Sequence, residues 1–300
     1  MNRFLFKTLI ICAVGGLLVV IIIILFVLFY QYTFNPRKNT ITQTHSHSFS
    51  ITPVVTGTFA SESNTHWLIT HLILTKLFQQ DPLLANWFFN TSNAFVLKGA
   101  ITSLNATPIA EYTSYAQFSQ DLADGQFPKG ISWVMYGLES TTNSPIEEKQ
   151  HPATYLKAFA ALAHAHNLKV MEVPGRDLVY VKGADCVKVR GESTDQAYLR
   201  CQIPAATQYA DIFLVEAQGD QKDVSTYTNL VASAKAQVRS INPTITVMSG
   251  LTTDRGDSAS QILACWQATH ALVSGYWMNS TIPTLSVAEQ ALNAIHTAGG

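Results

Sequence analysis

The stretch from Ala210 to Asp220, ADIFLVEAQGD, constrains the fold more than any other part of the chain. Ile212, Phe213, Leu214 and Val215 form an apolar run of strand length with β-branched members, the composition of a strand buried on both faces. The run stops abruptly at Glu216, Gln218 and Asp220. The pattern recurs: ISWVMYGLE from Ile131 and LKVMEVPGRD from Leu168 end in carboxylates, while ITVMSGL from Ile245 and LVSGYWMN from Leu272 end in small or polar groups. A helix-like segment separates each run from the next. Alternating β and α segments of this kind build a parallel sheet covered by helices, and a closed barrel gathers its C-terminal strand ends around one mouth. The expected fold is therefore α/β, a (βα)8 TIM-type barrel.

The remaining segments fill in that plan. ITPVVTGTF from Ile51 reads as the first strand and AFVLKGAI, 94–101, as the next, which makes seven strands, the eighth being inferred from closure. Helical spacing covers Asn64 to Gln80, with Asn64 as N-cap, and Glu111 to Ala123, with Tyr115, Phe118 and Leu122 on one stripe. Alanine-rich ATYLKAFAALAHAH follows, and Asn167 suits its end. Further helical patterns run over Gln196 to Tyr209, Val224 to Ile241, Ser258 to His270 and Ser286 to Thr297. The longest loop, Leu178 to about Asp195, has the length of a lid or binding element.

Ahead of the barrel, Leu9 to Tyr30 contains no charged residue. About 20 helical residues span the roughly 30 Å hydrocarbon core, so this run predicts one N-terminal transmembrane helix. It ends in bulky residues rather than a small-residue cleavage site, which favours an uncleaved anchor. The expected organisation is an anchor over 1–34, a polar linker over 35–50 and the barrel over 51–300. Arg3 and Lys7 are nearly balanced by Arg37 and Lys38. The low charge density and a possible disulfide between Cys186 and Cys201 favour an N-terminus inside and a barrel outside the cytoplasm. His45 and His47 in the linker read as solvated residues.

Composition narrows the function. The 19 basic and 20 acidic residues nearly cancel and no basic stripe appears, which argues against a nucleic-acid partner. Charged residues make up 13% of the chain, against about 25% in typical domains, as suits an extracytoplasmic surface. Cys186 and Cys201 flank the long loop. Either they pair as a disulfide, which in an oxidising compartment would contribute about 3 kcal/mol, or they remain two thiols.

Side chains alternate along a strand, so parity sorts the candidates for the mouth. Counted this way, Glu139, Glu172 and Glu216 converge there, with Tyr136 of opposite parity to Glu139. Paired carboxylates suit glycoside hydrolysis, in which one carboxyl gives its proton to the leaving oxygen and the other acts as nucleophile or base. Trp133, Trp266, Tyr276 and Trp277 offer faces for sugar rings, Tyr136 is a further substrate-binding candidate, and Arg176, Gln218 and Asn279 offer hydrogen-bonding groups. The structural alternative is ion pairing for the glutamates and core packing for the aromatics. No GxSxG, CxxC, HExxH, P-loop or GxGxxG pattern occurs, and no metal or cofactor is expected.

The motifs MYGLES, AFAALAHAHNLKVMEVPGRDLV, YADIFLVEAQGD, INPTITVMSGLTT and SGYWMN resemble a group of uncharacterised exported bacterial proteins. The resemblance covers roughly Ala94 to Asn279 and implies a glycoside-hydrolase-like (βα)8 barrel and export. In that group the first motif tends to read Tyr-Asp-x-Glu. Here Tyr136 and Glu139 match, Gly137 replaces the acid, and Glu216 stands where Gln is usual. Two functions therefore stay open: a membrane-anchored glycosidase acting on cell-surface or extracellular carbohydrate, and a non-catalytic glycan-binding or structural barrel of the cell envelope.

Overall fold

The computed structural model describes residues 65–299. Eight parallel strands pair in sequence order and β8 returns to β1, closing the barrel. The strands are β1 (His66–Thr70), β2 (Ala94–Leu97), β3 (Thr107–Tyr112), β4 (Trp133–Tyr136), β5 (Lys169–Glu172), β6 (Ile212–Val215), β7 (Thr246–Thr252) and β8 (Gly275–Asn279). The helices are α1 (His71–Gln80), α2 (Pro82–Phe89), α3 (Tyr115–Ala123), α4 (Ile146–Gln150), α5 (Pro152–Ala165), α6 (Thr194–Ala206), α7 (Val224–Ile241), α8 (Ala259–Thr269) and α9 (Leu285–Thr297). The expected transmembrane helix, the linker and the strand at Ile51 lie outside the described residues. Among the described residues no helix is long and apolar enough to cross a membrane.

Two expected helices are each a strand followed by a shorter helix. In the first, Trp67, Leu68 and Ile69 are consecutive and all buried, Leu68 in the lumen and its two neighbours against the helices. A run buried on both faces is a strand, and the helical stripe of Ile73, Leu74 and Leu77 starts only after Thr70. In the second, TPIAEY is β3, and Ser114 caps α3 by accepting the N–H of Gln117 at 3.2 Å. The β2-to-β3 crossover, 98–106, is a loop without a helix.

The core has two layers. Leu68, Phe95, Ile109, Met135, Met171 and Leu214 belong to the lumen cluster. Val96, Val134, Val170, Phe213, Val247 and Tyr276 face the helices. Closure depends on Gly275, because a Cβ there would come within 2.3 Å of the His66 carbonyl oxygen. After β5 the chain makes a 3-10 turn, Arg176–Tyr180, and the long loop is tied to α6 by a Cys186–Cys201 disulfide with Cα atoms 5.6 Å apart.

Candidate active site at the barrel mouth

Lumen parity decides which side chains reach the mouth. Trp133 and Met135 of β4 belong to the lumen cluster, so Gly137 and Glu139 continue that face. Ile212 and Leu214 of β6 do the same for Glu216, and Gln218 opens the 3-10 turn that follows. The backbone after β5 joins the two glutamates. A Cβ on Gly175 would lie 3.2 Å from Cα and Cγ of Glu139. The next N–H, that of Arg176, donates to Glu216 Oε2 at 2.5 Å. Asp177 then accepts the N–H of Ser140 at 3.0 and 3.2 Å, locking this turn to the residue after Glu139.

Both glutamates hold their protons more tightly than a free carboxylate. Burial pushes Glu216 up to about 7, opposed by the Arg176 N–H and guanidinium and reinforced by the negative charges of Glu139 and Asp177. Burial likewise raises Glu139, with Asp177 and Glu111 adding to it. Glu111 is a mouth carboxylate that the sequence reading missed. It shares lumen parity with Ile109 and pairs with Lys98 Nζ at 2.6 Å. The alternation in TPIAEY carries that signal, in competition with the helical spacing that begins at Glu111.

Gln218 and Trp277 meet over Gly250. A Cβ on Gly250 would come within 2.2 Å of the Gln218 amide carbon, and Trp277 is the register partner of Gly250 on β8. Gln218 Oε1 and Trp277 Nε1 are both buried and have no hydrogen-bond partner among the described residues. An acceptor and a donor thus stand unsatisfied in the same part of the lumen, each costing about 1–3 kcal/mol until a ligand or water engages it. Asn279 continues the Trp277 face one step closer to the mouth and is half-buried.

The Arg176 guanidinium is already engaged. It binds Asp220 at 2.8 and 3.3 Å and also Asp195 in the first turn of α6. It therefore ties the turns after β5 and β6 to the start of α6 rather than standing free for a substrate. Trp133 is on the lumen face but at the opposite end of the barrel: it is the first residue of β4, with Lys169 Nζ 5.2 Å from its ring.

Three expected site residues face the helices instead. Glu172 pairs in register with Tyr136 and Phe213, both on the outer face, whereas its neighbours Met171 and Val173 fill the lumen. It is 0% exposed, so its expected place at the mouth is wrong by one residue of parity. Tyr136 stacks on Phe159 of α5, centroids 4.3 Å apart, and donates to Glu148 at 2.7 Å. Tyr276 packs on Trp67 and shares a hydrogen bond with Thr269. Neither tyrosine can touch a ligand in the lumen.

Among the described residues no three His, Cys, Asp or Glu side chains are grouped to hold a metal ion. Beside the mouth, a cavity of about 600 Å³ runs along α3 and is lined by Glu111, Thr113, Gln117, Gln120 and Asn143, among others.

No family model matches the sequence, and no curated protein does. Solved structures similar to the chain include a triosephosphate isomerase from Bartonella henselae, with TM-score 0.45 and 11% identity over 77% of this chain and 99% of that one. A Schiff-base-forming fructose-1,6-bisphosphate aldolase matches with TM-score 0.42 and 13% identity over 77% and 94%. The catalytic domain of a family GH18 chitinase from the fern Peteris ryukyuensis matches with TM-score 0.40 and 15% identity over 74% and 77%. At these scores the likenesses carry no argument about chemistry. The class is a (βα)8 TIM-type barrel, defined by its own closed parallel sheet.

Proposed function

We propose that this protein is a membrane-anchored, extracytoplasmic glycoside hydrolase whose barrel mouth cleaves carbohydrate with Glu139 and Glu216. The observation that carries the reading is the pair itself: two inward carboxyls just beyond β4 and β6, bridged by the Gly175–Arg176 backbone, with the charge of Glu139 acting on Glu216. Glu216, pushed up to about 7, keeps its proton at mildly acidic pH and serves as general acid. Glu139 serves as nucleophile or base. Gln218 Oε1 and Trp277 Nε1 supply an acceptor and a donor for ring hydroxyls, and the Trp277 indole supplies an apolar face. The Cys186–Cys201 disulfide supports a location outside the cytoplasm.

A second reading, a glycan-binding barrel without turnover, draws support from one observation. Glu216 already accepts a short hydrogen bond from Arg176, which fixes it as a ligand-orienting acceptor. The full chain in mild detergent, screened against cell-wall and exopolysaccharide glycans for reducing-end release and binding, separates the two. Glu139→Gln and Glu216→Gln are each expected to lower turnover by about 100-fold or more while binding persists. Wild-type turnover should fall as pH rises through about 7, where Glu216 loses the proton it must donate. Binding without release, unchanged by either substitution, would refute catalysis at these residues.

A further inference from the structure

Resting on the carbohydrate reading of the mouth, we infer that a groove across the outer face of α3 is a second binding region, which holds further units of an uncharged glycan chain seated at the mouth. Two cavities make up the groove. The first, of about 600 Å³, is lined by Glu111, Gln117, Gln120 and Asn143 among others. The second, of about 330 Å³, is lined by Tyr115, Glu147, Glu148 and Tyr155 among others, and it shares Ala116 and Gln120 with the first. Both volumes fall in the range of about 300–1,000 Å³ usual for ligand sites. Glu111 joins the groove to the mouth, because it continues the lumen face of Ile109 and its charge acts on Glu139. Cavities that share their lining in this way give a chain held at Glu139 and Glu216 a path over α3 toward Tyr155.

The chemistry of the lining selects the ligand. Gln117 and Gln120 each give an amide N–H to the carboxylate one turn further along α3, Asp121 at 2.5 Å and Asp124 at 2.6 Å. Those bonds orient the amides and leave each one an acceptor oxygen and a second N–H for a ligand. Groups that both donate and accept match sugar hydroxyls, which do the same. The carboxylates of the groove are already engaged: Glu111 by Lys98 at 2.6 Å, Glu148 by the first N–H groups of α3 and the Tyr136 hydroxyl, and Glu147 by Tyr155. Among the described residues no lysine or arginine lines either cavity, so an acidic polysaccharide would meet like charge and no counter-charge. At the far end the rings of Tyr115 and Tyr155, both partly exposed and with centroids 5.8 Å apart, offer apolar faces to a sugar ring. Between the two cavities the exposed side chain is only that of Ala116, which keeps their junction clear.

Glucan, mannan and N-acetylglucosamine oligomers of two to six units, titrated into the full chain in mild detergent by calorimetry, test the inference, with uronate oligomers of the same lengths beside them. Affinity is expected to rise at least about tenfold from trimer to hexamer in a neutral series that binds, and not at all with length among the uronates. Ala116→Trp fills the junction of the two cavities from an exposed helix face, and Tyr155→Ala removes a ring at the far end. Each should lower hexamer affinity by about fivefold or more and leave dimer and trimer affinity unchanged, which also shows that the variants fold. A gain that stops at the trimer in the wild-type protein, or that survives both substitutions, would overturn the groove and leave the reading of the mouth standing. A uronate series that gains as much as the neutral ones would overturn the choice of an uncharged chain. Binding of no oligomer in any series would overturn the groove and the carbohydrate reading together.

Discussion

Glu172 carries the sharpest lesson at the scale of single residues. It is fully buried behind β5, and neither carboxyl oxygen has a hydrogen-bond partner among the described residues. Desolvation holds its pKa well above the ordinary carboxylate range, so the folded protein retains a proton that the unfolded chain has already released. Stability therefore falls as pH rises above about 4.5, by as much as about 1.4 kcal/mol per pH unit, until the folded-state group also ionises. Glu172→Met, which fills similar volume without a charge, is expected to raise stability at pH 8 by about 1–3 kcal/mol and to gain less at pH 5. Urea midpoints at the two pH values check this; a loss at both would show that the carboxyl has a bound partner. The residue was misplaced in the sequence for a physical reason. In KVMEV both faces of the strand are apolar, so alternation says which residues share a face but not which face is the lumen.

At the scale of elements, the barrel's outer layer is organised at one point by Glu148. Only 2% exposed, it lies in α4, yet it accepts the N–H groups of Tyr115 and Ala116 at 2.7 and 3.0 Å and the Ser114 hydroxyl at 3.0 Å. Those are the first N–H groups of α3, which lack partners within their own helix. A carboxylate there also meets the positive end of the helix dipole, and the Tyr136 hydroxyl completes its shell. Glu148→Ala would strand several buried donors at once and is expected to cost about 3 kcal/mol, whereas Tyr136→Phe removes one and should cost about 1–2 kcal/mol. Urea unfolding followed by far-UV circular dichroism measures both, and an alanine variant as stable as wild type would refute the capping role. None of this was legible in SPIEEKQHP, where Glu148 reads as one more charge in a loop. The helices at Val224–Ile241 and Ala259–Thr269 were legible, because each buries a single stripe and opens at a residue with a short capping side chain, Asp223 or Ser258.

At the scale of the whole molecule, what matters is that a barrel has no spare edge. The βα alternation announced this architecture, but the strand expected over ISWVMYGLE ends at Tyr136, and Glu139 lies three residues beyond it, with Leu138 on the outer face showing that the alternation continues past the strand. The first strand is less legible: ITPVVTGTF has the composition of an edge-to-core strand, whereas HWLIT lies inside a segment whose apolar residues also satisfy helical spacing. The eight strands from His66 to Asn279 close on themselves, with β1 filling the gap between β2 and β8 through pairs such as Trp67 with Ala94 and Trp67 with Tyr276. Removing that strand would expose unpaired backbone on two neighbours at once and open the lumen core around Leu68. A chain beginning at residue 60 should therefore unfold in one cooperative transition, and a chain beginning at residue 72 should not fold, appearing instead as aggregate by size-exclusion chromatography. If the shorter chain folds cooperatively, closure is not what holds the sheet together; if the longer one fails, the segment before residue 60 contributes to the barrel after all.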